Sequence, residues 1–233
     1  MNPQVFGKEH LIYIAVSLLV TFAACFLSAR YVKTEKAKNV VIKVAAAILL
    51  ITIFSNRLAL VFEYEDASWL KLLTDSFCST SSYVLSLAIL FGKKNNVVLH
   101  FIWMIALVGG SIVTFYADFI GQNPSFMYPP TILGMMHHTI SAIVVILLFI
   151  FGYINLTYKK WYCTLFGFTC YFAYGGFLHF VLDYSNPFYM AEPAISGTPF
   201  TAWVIAPIYV ALYSLVLLIT ELVRKRKSRC SMQ

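Results

Sequence analysis

The sequence predicts an all-α polytopic membrane protein: a bundle of seven transmembrane helices, with its N-terminus outside and its C-terminus cytoplasmic. Three observations carry that reading. Of the 233 residues, 60% are hydrophobic and only 12% charged, with a mean hydropathy of +0.77. A soluble domain of this length has no core large enough to hide so much apolar surface. Seven stretches are long and apolar enough to cross a bilayer, which takes about 20 residues as a helix. Finally, basic residues are rich in every second inter-span segment, and that alternation sets the direction of threading.

The expected spans cover residues 9–29, 39–63, 69–92, 96–120, 131–155, 161–183 and 201–223. The first is not read as a cleaved signal peptide, because its run is long and its positive charges follow it instead of preceding it. Arg30, Lys33, Lys36, Lys38 and Lys43 follow the first span, Lys93 and Lys94 the third, and Lys159 and Lys160 the fifth. Arg224, Lys225, Arg226, Lys227 and Arg229 follow the seventh. Of the 17 Lys and Arg residues, only Lys8, Arg57 and Lys71 lie elsewhere. The positive-inside rule places the large group in the cytoplasm, and seven spans satisfy it. Residues 1–223 are thus expected to form one transmembrane domain and 224–233 a basic cytoplasmic tail. That tail reads as an anchor near anionic headgroups, not as a nucleic-acid site. The expected location is a bacterial plasma membrane and the expected partners are membrane lipids; no oligomeric state is implied.

Acidic residues show the opposite bias. Glu9, Glu63, Glu65, Asp66, Asp75, Asp118, Asp183 and Glu192 all map to the outer half. Acids do little to set topology, so they call for another explanation. The stretch DSFCSTSS, Asp75 to Ser82, sharpens the point by placing a carboxylate, a thiol and five hydroxyls inside an apparent span. Lipid offers such groups no water, so each needs a protein partner or a polar cavity.

On a continuous helix Cys78 would lie roughly 13 Å below the outer end of its span, and His137 and His138 about 10 Å below theirs. Asn56 and Arg57, His179 above Asp183, and Asp118 fall in the same layer. Ionisable groups at such depth usually face a cavity or one another. Asp75, Ser79, Ser82 and Ser86 would share a helical face beside Cys78. Gly175, Gly176, His179 and Asp183 would share another, a small-residue groove leading to a His–Asp pair at i, i+4 that fixes an imidazole tautomer. Together these predict an outward-opening polar pocket.

Two chemistries use these residue types. A nucleophilic cysteine needs a base within hydrogen-bond reach, which His138 or His137 would supply. Adjacent helical positions point about 100° apart, so one of the two is expected to serve. Zinc is the rival, with His137, His138, His179, Asp75 and Asp183 as donors. No H-x-x-x-H or H-E-x-x-H spacing supports it, and neither a metal nor another cofactor is expected. The five cysteines contain no C-x-x-C pair. Arg57 reads either as a structural ion pair with Asp75, Asp118 or Asp183, or as a lipid-phosphate ligand.

The order of a cysteine in SFCSTS, a histidine in MMHHTISAI and the later loop NPFYMAEPAISGTPF resembles the YwaF-like bacterial integral-membrane family and its eukaryotic relative, transmembrane protein 164. The resemblance covers roughly residues 40–223. The relative is a phospholipid acyltransferase that uses a cysteine, which implies Cys78 as acyl-accepting nucleophile and His138 as its base. The relative has Pro before and His after its cysteine, where this chain has Phe77 and Ser79.

The expected function is therefore a membrane-embedded acyltransferase or acyl hydrolase working through an acyl-thioester. Cys78, His138 and Asp75 are its catalytic residues; Asn56, Arg57, His137, His179, Asp183 and Asp118 bind substrate. The alternatives are a transporter or lipid-binding protein using the same cavity, and a scaffold whose polar layer only orders the bundle. No repeat or broken helix pair marks an alternating-access machine.

Overall fold

A computed structural model describes residues 5–63, 68–117 and 125–230, with side chains through 226. Seven α-helices make up its regular structure: α1 (Lys8–Tyr31), α2 (Glu35–Glu63), α3 (Phe77–Leu90), α4 (Val97–Phe115), α5 (Pro129–Ile150), α6 (Tyr162–Leu182) and α7 (Ala202–Cys230). No strand occurs among the described residues. Six of the helices are long and apolar enough to cross a membrane. The exception is α3, apolar but only 14 residues long. The expected helix over 69–92 is broken instead: a short 3-10 turn, Trp69–Leu72, precedes an extended Leu73, and α3 starts at Phe77. Ser76 explains the late start. Its hydroxyl accepts a bond from the Ser79 amide, a cap that competes with helix continuing through it.

Other boundaries follow local chemistry. Asn96 caps α4 by accepting from Leu99 N at 2.9 Å. Pro129 opens α5, where its missing N–H costs nothing. Beyond α6, Asp183 takes up the left-handed conformation (φ 55°) that short polar residues tolerate. The helix α7 runs on through Cys230, so the start of the basic tail continues the last span.

The chain divides into two compact units, residues 1–153 and 154–233. In the first, α2, α3, α4 and α5 pack around one another, and α1 lies against α5 and α4. Leu49, Ile53, Leu85, Leu99, Ile102 and Met135 are completely buried there. The outermost helix shows what surrounds it. The residues α1 buries are His10, Ser17 and Ser28, while Leu19 and Phe22 are each 68% exposed. Polar in and apolar out suits only a lipid surround. In the second unit, α6 and α7 meet through Phe172 stacked on Trp203 at 4.8 Å. Phe188, fully buried in the connecting loop, packs against Tyr171.

Candidate active site

The break before α3 changes the setting of Cys78. It lies not deep within a helix but at the second position of α3's first turn, just after the Ser76 cap. First-turn amides have no acceptor of their own in the helix, and the helix dipole places partial positive charge there. An oxyanion formed beside these amides is favoured at such a position.

Most of the hydroxyls that crowd this stretch are satisfied locally. Ser86 donates to the Ser82 carbonyl at 2.7 Å, and Thr80 to Thr74 Oγ1 at 2.7 Å. Ser76 donates to Ser79 Oγ at 2.9 Å. Ser82 reaches another helix. It donates to the Cys78 carbonyl at 3.1 Å, and its oxygen lies 3.2 Å from His137 Nδ1 and 2.9 Å from Ser141 Oγ.

His137 and His138 are both buried, and their ring centroids lie 4.1 Å apart at an interplanar angle of 31°. The expected 100° divergence does not separate them, because side-chain torsions bring the two rings together. The positive charge of Arg57 acts on both.

Two adjacent glycines, which sequence reasoning passed over, let these elements approach. A Cβ on Gly109 would stand 2.7 Å from Cys78 Sγ. A Cβ on Gly110 would stand 2.5 Å from the His138 carbonyl oxygen and 3.3 Å from Ala142 N. Gly109 thus admits the Cys78 sulfur, and Gly110 admits the α5 backbone at His138. The readable signal was the pair itself, two small residues where α4 must pass close to two neighbours.

Arg57, 6% exposed, donates through both terminal nitrogens to Asp75 Oδ1 at 3.3 Å. The ion-pair reading of Arg57 is the one observed, and it ties Asp75 to α2. Arg57 Nε is buried without a hydrogen-bond partner among the described residues. Asn56 commits one amide hydrogen to the Pro130 carbonyl at 2.9 Å, bracing α2 against the start of α5.

Beside the site, His10 accepts from Phe6 N at 3.0 Å through Nδ1, so its Nε2–H donates to the Thr114 carbonyl at 3.1 Å. Thr139 links Tyr13 OH, at 2.8 Å, to Thr114 Oγ1, at 3.0 Å. This polar seam across α1, α4 and α5 also went unread in the sequence.

His179 and Asp183 belong to the second unit and do not form the expected pair. His179 Nδ1 donates to the Tyr184 carbonyl at 2.8 Å, while Asp183 is exposed and ends α6. The small-residue groove is filled: a Cβ on Gly175 would lie 2.6 Å from Met190 Sδ and 2.9 Å from Phe188 Cδ2. Asn186 organises the loop above it, accepting from the amides of Ala191 and Glu192, each at 3.0 Å. Asp118, Glu65 and Asp66 lie outside the described residues. Among the described residues no three His, Cys, Asp or Glu side chains gather as a metal site would require.

Fold and site together define a helical integral membrane protein in which a thiol at a helix start and two buried imidazoles share one unit. The chain matches the TMEM164 family over residues 5–223, nearly its whole length, and belongs to that family. No curated protein and no solved structure matches it.

Proposed function

We propose that this protein is a phospholipid acyltransferase or acyl hydrolase of the outer leaflet, with Cys78 as nucleophile and His138 as base. The observation that carries the reading is the seating of Cys78 Sγ against Gly109 at the first turn of α3, in the unit that buries both histidines.

In this mechanism a His138 ring nitrogen takes the Cys78 proton as the sulfur attacks a lipid ester carbonyl. The C–S bond forms and the oxyanion develops beside the first-turn amides of α3. When the tetrahedral intermediate collapses, the ester C–O bond breaks and the leaving alkoxide takes the proton from the imidazolium. A lysolipid hydroxyl, or water, then gives its proton to His138 and attacks the thioester; the C–S bond breaks, the acyl group passes to that oxygen, and the imidazolium returns its proton to the Cys78 sulfur. His137, held by Ser82, orders the wall beside this base. Arg57 Nε, buried without a hydrogen-bond partner among the described residues, has a hydrogen bond to offer a phosphate or carbonyl oxygen.

The test is turnover by the purified protein in vesicles, with a diacyl phospholipid donor and a lysophospholipid acceptor, followed by mass spectrometry of the lipids. Cys78→Ala and His138→Ala are each expected to lower product formation by about a thousandfold while the protein elutes as before. Undiminished product from folded Cys78→Ala would remove the thioester mechanism.

A further inference from the structure

At the far end of α3 from Cys78, an open cleft of about 690 Å³ lies between the start of α2 and the turn joining α3 to α4. Lys36, Asn39, Lys43, Lys93, Lys94 and Tyr153 line it. The lysines come from two separate segments of the chain, so no single charged run accounts for their convergence.

The turn that carries two of them is fixed. Asn96 Nδ2 donates to the carbonyl of Lys93 at 2.8 Å and to that of Ala88 at 3.3 Å. The Asn95 amide donates to the Tyr153 carbonyl at 3.0 Å. Gly92 is needed at the bend, since a Cβ there would collide with the Ala88 carbonyl oxygen. Lys94 lies over the Tyr153 ring, 5.2 Å from its centroid, and donates to Glu35 Oε2 at 2.6 Å.

Glu35 also receives Lys38, at 2.8 Å, so one carboxylate serves two ammonium groups. Lys36, Lys43 and Lys93 make no ion pair among the described residues. Three uncompensated cations thus share one cleft with amide and phenol groups that hydrogen-bond oxygen. Next to it, Val40 is 55% and Phe91 82% exposed, an apolar surface suited to acyl chains. Cationic heads beside lipid-facing apolar side chains match an anion that is itself anchored in the bilayer.

We propose that this cleft binds the phosphate-bearing headgroup of an anionic membrane lipid, at a site separate from the Cys78 site. The chemistry recognised is a multiply charged phosphate. Its source is tested by comparing lipid with free phosphate.

The experiment is native mass spectrometry of the protein released from phosphatidylcholine vesicles with and without phosphatidic acid. The wild type is expected to retain phosphatidic acid at least about tenfold over phosphatidylcholine. Replacing Lys36, Lys43 and Lys93 together by Gln is expected to lower that retention by about a hundredfold. Replacing Lys159 and Lys160, a basic pair outside the cleft, by Gln is expected to leave it unchanged. Retention that survives millimolar inorganic phosphate identifies the lipid; displacement by it makes the site one for free phosphate and overturns the lipid assignment. Equal retention of both lipids by the wild type overturns the proposal without reference to any variant. So does equal loss in the Lys159 and Lys160 variant.

Discussion

Cys78 and Gly109 are in contact across α3 and α4 so closely that a methyl group on Gly109 would stand 2.7 Å from the sulfur. The neighbour is the end of a short side chain, which turns aside at little cost. Gly109→Ala is therefore expected to leave stability within about 1 kcal/mol of wild type, helped by the better helix propensity of Ala. Turnover is expected to fall about a hundredfold as the sulfur leaves its productive rotamer. Thermal unfolding and lipid turnover of the same preparation check both halves. Unchanged turnover would show that the seating of the sulfur is incidental.

Gly110 meets backbone instead, and backbone does not turn aside. A Cβ 2.5 Å from the His138 carbonyl oxygen forces α4 and α5 apart. Gly110→Ala is expected to cost about 1–3 kcal/mol, the range for overpacking a close contact. Comparing its unfolding midpoint with that of Gly109→Ala is the sharpest check, because the two substitutions are chemically identical neighbours.

Ser82 joins α3 to α5 through His137 and Ser141. Ser82→Ala removes both bonds and is expected to destabilise the protein by about 0.5–1.5 kcal/mol. It also frees the His137 ring to change tautomer. A loss of turnover beyond what the lowered stability explains, restored in Ser82→Thr, would show that the bond orients the imidazole.

The Arg57–Asp75 pair joins a buried cation to a carboxylate that is 44% exposed. Solvent screens it, so the pair itself is expected to contribute no more than about 1 kcal/mol. Removing Asp75 alone leaves a buried guanidinium less compensated, which makes Asp75→Asn worse than Arg57→Met with Asp75→Asn. Urea unfolding of the single and double variants measures the difference. If Asp75 instead aids proton transfer, Asp75→Asn loses turnover at full stability.

Much of the architecture was legible because lipid imposes a simple rule on composition: long apolar runs become helices. Six long helices follow it. The rule failed at 69–92, where a hydrophobic stretch concealed a break at Leu73 and a Ser cap at Ser76, a local competition that average hydropathy cannot register. The same failure upset the depth argument for Cys78. Conversely, the crowding of polar groups from Asp75 to Ser82 is met largely by local bonds, while Ser82 reaches across to α5. His179 and Asp183 illustrate the limit of spacing arguments. An i, i+4 relation brings side chains together only within a helix, and Asp183 already lies at the left-handed residue that ends α6. Gly109 and Gly110 carried only the signal of a small-residue pair, since what a glycine admits is known only once its neighbour is.

The most direct test of the account is the intact mass of the purified protein after incubation with phospholipid vesicles, before and after hydroxylamine. The account predicts a fatty-acyl increment that hydroxylamine removes and that Cys78→Ala lacks. A wild-type protein that gains no acyl group, and releases neither lysolipid nor fatty acid from those vesicles, would contradict it.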